Sequence, residues 1–134
     1  MPQIEWIPEM SVGHAELDQQ HQTLMELYNR FDAAAAQGKG ARQVWQLLDE
    51  LVAYTETHFR AEEAILAAAG FEGLEQHKTL HTQLIRKLDG FRADLAAGRR
   101  VTTEFRQFLG YWWENHILEH DMDYGQDLFH GKAE

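Results

Sequence analysis

Histidine is the residue that sets this chain apart, with 8 among 134 residues. Two pairs have the spacing of one helical turn, His58 with Glu62 and His77 with His81. Side chains at this spacing share one face of an α-helix, so each pair is placed to chelate a metal ion. The chain has no cysteine, which removes thiolate ligands, disulfides and a cysteine nucleophile. Imidazole together with carboxylate is a ligand set that suits iron, and a carboxylate can bridge two ions.

A simpler interpretation has to be weighed for each histidine taken alone. One histidine on an apolar helix face is usually a hydrogen-bonded core residue, and a single His-x-x-x-His pair is common on protein surfaces. A carboxylate such as Glu62 is different, because its burial among histidines is costly unless a cation neutralises it. Several histidines and an acid at one level of a fold therefore favour a metal centre.

Glycines divide the chain into four segments that repeat apolar residues at the helical interval. The predicted helices run roughly from 14 to 37, from 41 to 69, from 74 to 97, and from Thr102 or Thr103 to a break near His120. Short loops make neighbouring helices antiparallel, so the sequence predicts an all-α, antiparallel up-down-up-down four-helix bundle. One domain over residues 1–134 would comprise an N-terminal arm (1–13), the bundle (14–121) and a short helical tail (122–134).

In that bundle the candidate ligands fall at one end of the molecule. They lie near the beginning of the first and third helices and near the end of the second and fourth, and antiparallel helices bring these positions to the same level. The convergent set comprises His21, His58, Glu62, His77, His81 and His116. Zinc usually takes four ligands, and this set is larger. The ligand count therefore favours a dinuclear iron centre in the bundle core.

Net charge and hydropathy argue against several other functions. A formal charge of −10 and a pI near 5.2 disfavour binding to nucleic acid or to an anionic membrane. The N-terminus has neither the basic nor the apolar region of a signal peptide, and no apolar run approaches the roughly 20 residues that span a bilayer. We expect a soluble cytoplasmic monomer.

Four segments of the sequence together resemble the hemerythrin family, and the single-domain bacteriohemerythrins in particular. These segments are His21, His58–Glu62, His77–His81 and His116–Asp121. The likeness extends over nearly the whole chain, including Trp6 in the N-terminal arm, and the combination of spacings is highly specific. It implies an oxygen-binding four-helix bundle.

The resemblance also implies a set of ligands for two iron ions, Fe²⁺ or Fe³⁺. One iron would be held by His77, His81 and His116, and the other by His21 and His58, with Glu62, Asp121 and an oxo or hydroxo group bridging them. These ligands fill about eleven of the twelve positions of two octahedra. The position left open, on the iron with two histidines, is where dioxygen would bind.

Asp121 does not follow from spacing alone. On an ideal α-helix it is rotated by about 140° from His116, whereas His120 lies one turn from His116. The family pattern nevertheless assigns Asp121, which implies that the helix is distorted or ends there. We follow the pattern and expect His120 to lie outside the ligand set.

Several further residues receive roles by resemblance or by position. The family places apolar side chains around the open position, and these side chains also suit ordinary core packing. The matching residues are Leu24, Phe59, Trp112 and Leu118. Asp18 and Glu63 are candidates either to orient histidines or to face solvent, and Trp113 is assigned packing only. His14 and His130, near the chain ends, are expected to be solvated.

The leading hypothesis is a protein, not an enzyme, that binds dioxygen reversibly for transport, storage or delivery to an oxygen-consuming enzyme. Ferritin-like di-iron oxidases use several glutamates and Glu-x-x-His pairs. Here only two acids are available, and no proton donor is evident at the open position. A di-iron enzyme that handles peroxide or nitric oxide is the first alternative. A sensor of oxygen or nitric oxide is the second, and it would need a separate output protein.

Overall fold

Four long helices make up most of the computed structural model, which describes residues 4–100 and 102–129. They are α1 (Ala15–Ala36), α2 (Ala41–Ala68), α3 (Leu74–Ala96) and α4 (Thr103–Asn115). No strand occurs in these two described stretches. Each helix buries an apolar stripe against its neighbours, and the predicted all-α four-helix bundle is confirmed.

Glycines in the left-handed conformation end three of the helices. Gly38, Gly70 and Gly98 have φ values of 70°, 73° and 88°, a region that glycine adopts without strain. The residue after each glycine donates its N–H to a carbonyl of the last helical turn, at 2.9 to 3.1 Å. This arrangement satisfies carbonyls that the helix end would leave unpaired. The helices therefore end within one residue of the predicted positions.

Side-chain caps begin two of the helices. Thr102 accepts a hydrogen bond from the backbone N–H of Phe105 at 3.1 Å, which makes it the N-cap of α4. His14 does the same for α1, because its Nδ1 atom accepts from the N–H of Leu17 at 3.4 Å. His14 is half-buried, and it lies outside the groups of donor atoms, so it is less solvated than predicted and its role is to cap α1. His130 lies outside the described residues.

The sequence predicted a break in the fourth helix near His120, but the helical conformation continues beyond that residue. α4 continues into a π-helical turn (His116–Asp121), a short α-helical turn (Met122–Tyr124) and a second π-helical turn (Gly125–Phe129). This continuation packs against the N-terminal arm. A Cβ atom at Gly125 would lie 3.0 Å from the backbone of Val12, so this segment and the arm are in close contact.

Two apolar clusters enclose a polar layer between them. The larger cluster includes Leu24, Phe59 and Trp113, and the smaller one consists of Val12, Leu17, Leu66 and Tyr124 with partly buried neighbours. The predicted ligands alternate along α1 and α2 with members of these clusters, so they lie in the layer between. Within the described residues, no helix is long and apolar enough to cross a membrane.

Candidate metal centre

All seven predicted ligands are buried in this polar layer, and none exposes more than 4% of its surface. The set is His21, His58, Glu62, His77, His81, His116 and Asp121. Every helix of the bundle contributes, with one histidine from α1, a His–Glu pair from α2, a His–His pair from α3 and a His–Asp pair from the π-helical turn after α4. The structure therefore brings together side chains that are up to 100 positions apart in the sequence.

Glu62 lies at the centre of the layer and divides it into two sides. Its Oε1 atom is 2.8 Å from Nε2 of His77 and 3.0 Å from Nε2 of His81. Its Oε2 atom is 3.3 Å from Nε2 of both His21 and His58. Each carboxylate oxygen thus faces a different group of histidines.

Asp121 repeats this division. Its Oδ1 atom is 3.0 Å from Nε2 of His77 and of His116, whereas Oδ2 is 3.1 Å from Nε2 of His21. One side therefore has three imidazole nitrogens and two carboxylate oxygens, and the other has two nitrogens and two oxygens. On the first side all five donor atoms are close enough to share one ion, and on the second side those of His21, His58 and Glu62 are. The Oδ2 atom of Asp121 approaches this second group through His21. Two carboxylates that reach both sides have the arrangement of bridging ligands.

The π-helical turn explains how Asp121 reaches this position. A π-helix has hydrogen bonds between residues five apart, so it brings His116 and Asp121 to the same face, which an α-helix would not do. His120 then belongs to neither group of donor atoms, although its ring centroid is 5.5 Å from that of His116. The expected distortion of the helix lies between these two residues.

The donor atoms fit metal ions better than they fit one another. Both oxygens of Asp121 and Nε2 of His58 are fully buried, and none of them has a hydrogen-bond partner among the described residues. The imidazole nitrogens lie 3.0 to 3.1 Å from the oxygens of Asp121 but form no directed hydrogen bond with them. The oxygens have therefore lost their hydrogen bonds with water without full replacement, which is costly. A cation on each side would satisfy all of these atoms at once. The chemistry of the donor set therefore fits a pair of metal ions.

Comparison with known proteins agrees with this geometry. The hemerythrin family model, described as a hemerythrin HHE cation-binding domain, matches residues 12–128. The chain belongs to the hemerythrin family. It is 31% identical over 134 residues to a bacteriohemerythrin of Pseudomonas aeruginosa, covering 100% of this chain and 87% of the relative. It is 30% identical to a bacteriohemerythrin of Stenotrophomonas maltophilia, with 96% and 83% covered.

Solved structures of hemerythrin have the same fold as this family member. The crystal structure of a wild-type hemerythrin superimposes with a TM-score of 0.88 at 27% identity. The match covers 95% of this chain and 98% of that one. The resemblance that was drawn from the spacing of histidines and acids is confirmed.

Opposite charges balance among the buried side chains of the polar layer. Burial alone would raise the pKa of Glu62 and lower that of His21, but the interaction between acids and histidines outweighs it. The pKa values of Glu62 and Asp121 are held well below their usual range, and both are carboxylates. Although burial lowers it, Asp121 and Glu62 raise the pKa of His21 to about 10, and that of His77 likewise to about 10. Two protonated histidines thus offset two carboxylates.

Three side chains hold the layer from outside. Nδ1 of His81 is 2.8 Å from Oε2 of Glu63, and Nδ1 of His58 is 2.6 Å from Oε1 of Gln20. Tyr124 is fully buried and donates its O–H to Oε2 of Glu62 at 2.9 Å. Burial, with the nearby carboxylates, raises the pKa of Tyr124 far above its usual value, so it keeps its proton. Glu63 was a predicted partner, whereas Gln20 and Tyr124 were missed.

Asp18 has a different role from either of those predicted for it. Its carboxylate accepts hydrogen bonds from Ser11 Oγ at 2.6 Å and from the N–H of Val12 at 2.8 Å. It therefore fastens the N-terminal arm to the start of α1 and orients no histidine. Negative charge is favourable in the first turn of a helix, but the sequence gave no signal that Asp18 would bind Ser11 and Val12.

Aromatic rings pack directly on the histidines. Phe59 stacks on His81 with ring centroids 3.6 Å apart, and Trp112 stacks on His116 at 4.3 Å. Leu24 is buried, as expected for a wall of the site. Leu118 is 39% exposed, so the prediction that it lines a closed apolar pocket is wrong. Leu118 lies two positions after the buried His116 in the π-helical turn, on nearly the opposite face, so it is directed away from the site.

Trp113, which was predicted to serve only in packing, is one of the most deeply buried side chains of the core. It exposes 1% of its surface and contacts Phe59, with ring centroids 5.9 Å apart. Its Nε1 atom is buried and has no hydrogen-bond partner in the described part of the chain. Together with Leu24 and Phe59, it belongs to the larger apolar cluster that closes one side of the polar layer.

Proposed function

We propose that this protein binds two iron ions in the polar layer and binds dioxygen reversibly there, for storage, transport or delivery of oxygen. The observation that carries the proposal is the division of both buried carboxylates between two groups of histidines. Oε1 of Glu62 and Oδ1 of Asp121 face one group, and Oε2 and Oδ2 face the other. Such an arrangement supports two bridged ions and not one.

The two sides supply different numbers of ligands. His77, His81 and His116 would hold one ion together with one oxygen of each carboxylate, which makes five protein ligands. His21 and His58, with the other two oxygens, would supply four to the second ion. Iron prefers about six positions, so with a shared oxo or hydroxo bridge the second side keeps one open position. When bound, the iron pair supplies that position and the electrons that dioxygen binding requires.

Zinc fits this set less well than iron does. Zinc in proteins is usually tetrahedral, whereas one side of the layer alone offers five donor atoms. Imidazole and carboxylate ligands, without any thiolate, are typical of non-haem iron centres in helical bundles. The absence of cysteine from the sequence is consistent with this ligand chemistry.

The surroundings of the site favour binding over turnover. Leu24, Phe59 and Trp113 are buried apolar walls, which keep water and its protons away. Tyr124 places a hydroxyl group, which can donate a proton, on the side of His21 and His58, and the sequence analysis had identified no such donor. Its proton is donated to Glu62 and its pKa is raised, so it does not readily protonate a bound ligand. Slow proton delivery preserves the reversible reaction.

Oxygenation of the iron-loaded protein tests this function. The full chain, loaded anaerobically with Fe²⁺, should contain two irons, gain an absorption band under oxygen and lose that band under vacuum over repeated cycles. His81→Gln should lose iron and the band. His120→Gln is the matched control, because His120 is close to the layer but in neither donor group, and it should retain both. Continuous consumption of oxygen or peroxide by the wild-type chain would show an enzyme instead.

A further inference from the structure

The outward nitrogens of the histidines differ between the two sides of the layer. All five histidines direct Nε2 towards the carboxylates, which leaves Nδ1 facing outwards. Nδ1 of His21 and of His116 is buried without a hydrogen-bond partner among the described residues. His81 and His58 have partners, but these partners differ in charge. His81 faces the carboxylate of Glu63, and His58 faces the neutral amide of Gln20.

The charge of the acceptor changes the imidazole as a ligand. A carboxylate that accepts the Nδ1–H forms a stronger hydrogen bond than a neutral carbonyl does, because its oxygen carries negative charge. The two bonds here, 2.8 Å to Glu63 and 2.6 Å to Gln20, are both short, so the difference between them is one of charge and not of length. It draws the proton outwards and leaves more negative charge on the ring, so that Nε2 becomes a better donor to a cation. An amide oxygen orients the ring equally well but adds little charge. His81 and His58 are thus oriented in the same way, but their Nε2 atoms differ in how strongly they donate to a cation.

The packing around His81 keeps its Nδ1 atom directed at the carboxylate of Glu63. The stacked ring of Phe59 lies parallel to His81 within 2° and fixes its orientation. Glu63 is 24% exposed, and its only ion-pair partner within the described chain is His81. Partial exposure screens the carboxylate to some extent, so we expect an effect at the lower end of the range known for such partners, about tenfold in metal affinity.

We propose that Glu63 and Gln20 are positioning residues that give the two metal positions unequal donor strength, with His81 as the strengthened donor on the side of His77, His81 and His116. This inference rests on the proposed function and deepens it. The weaker donors then lie on the side with the open coordination position. Weaker donors stabilise Fe²⁺ relative to Fe³⁺, so an iron held by His21 and His58 would favour the reduced state and therefore the release of dioxygen. An iron held on the side of His81 would instead favour the Fe³⁺ state.

Metal release from matched variants tests the proposal. Zinc is a suitable probe, because it has no redox chemistry and reports donor strength alone. The full-length chain, loaded with zinc, should release its two ions to a chelator in two steps. In Glu63→Gln the later step should occur at about tenfold lower chelator concentration, with the earlier step unchanged. Gln20→Glu should move only the earlier step, to higher chelator concentration.

Two further variants serve as controls. The double exchange Gln20→Glu with Glu63→Gln keeps the net charge and should bring the two steps together or reverse their order. Glu56→Gln removes another carboxylate from α2. Glu56 lies near Glu63 and His81 at the surface, but the described carboxylate bonded to His81 Nδ1 is that of Glu63, so both steps should stay where they are. Circular dichroism checks that each variant keeps its helices. If Gln20→Glu does not fold, the result for Glu63→Gln decides.

The ring protons provide a signature that loss of structure would not imitate. In the zinc-loaded protein, the Nδ1–H resonance of His81 should lie downfield of that of His58 and should move upfield in Glu63→Gln alone. A single release step in the wild type, equal effects of both substitutions on both steps, or an unchanged His81 resonance would overturn the proposal. These results would leave the proposed function intact, whereas an iron content below two per chain would refute that function.

Discussion

Removal of one hydroxyl group, in Tyr124→Phe, isolates the support that Glu62 receives from outside the histidine layer. The ring of Tyr124 would keep its contacts with His77 and Phe71, whose centroids are 5.5 Å and 6.1 Å away. Only the hydrogen bond to Oε2 of Glu62 would be lost. A hydrogen bond to a charged, buried acceptor contributes about 1.5 to 3 kcal/mol to the free energy of unfolding. For a chain of this length, that corresponds to a fall of roughly 5 to 11 °C in Tm.

The measurement is thermal unfolding of the metal-loaded protein, followed by circular dichroism at constant pH and metal concentration. Tyr111→Phe is the matched control, because Tyr111 is 70% exposed and its hydroxyl faces solvent. Its Tm should change by no more than about 2 °C, as is usual for surface substitutions. Equal, small changes in both variants would refute the conclusion that Tyr124 stabilises the central carboxylate.

Three other predictions concern proton release on metal binding and the packing around two glycines. In the metal-free folded chain, His21 and His77 have pKa values raised to about 10, above the usual 6.5, so both carry a proton at pH 8 that metal ions must displace. Binding of the ion pair should therefore release about two protons at pH 8, and its affinity should rise about a hundredfold per pH unit up to pH 10. Calorimetry in buffers of different ionisation enthalpy measures this release, and no release would contradict the charge balance described above. Gly125→Ala should destabilise the fold by about 1 to 3 kcal/mol, because the new Cβ would lie 3.0 Å from the backbone of Val12. Gly90→Ala, with no atom within 4 Å of its Cβ, should instead stabilise α3 by up to about 1 kcal/mol in denaturant titrations.

The helices and the level of the ligands were accessible from the sequence because both depend on local rules. Glycines such as Gly38 and Gly70 end helices through their own backbone conformation. Antiparallel helices of similar length then place His21 and His81 at the same end, whatever the details of packing. These steps require only periodicity and chain connectivity.

The features that were missed depend on contacts between helices. The spacing of His116 and Asp121 shows that an α-helix does not suffice, but not that the backbone continues as a π-helix. Gln20 reaches His58 and Tyr124 reaches Glu62 only through the relative rotation and rise of separate segments. Hydropathy patterns do not specify these quantities. In the sequence, nothing distinguishes a glutamine such as Gln20 from any other polar residue next to a predicted ligand.

The central claim is that Glu62 and Asp121 each bridge two metal ions, and anomalous diffraction at the iron edge from crystals of the iron-loaded chain tests it most directly. The account predicts two iron peaks, one on each side of these carboxylates, with Oε1 and Oδ1 bound to one ion and Oε2 and Oδ2 to the other. The histidines should divide into His77, His81 and His116 around the first ion and His21 and His58 around the second. One peak only, or two peaks with either carboxylate bound to a single ion, would contradict it.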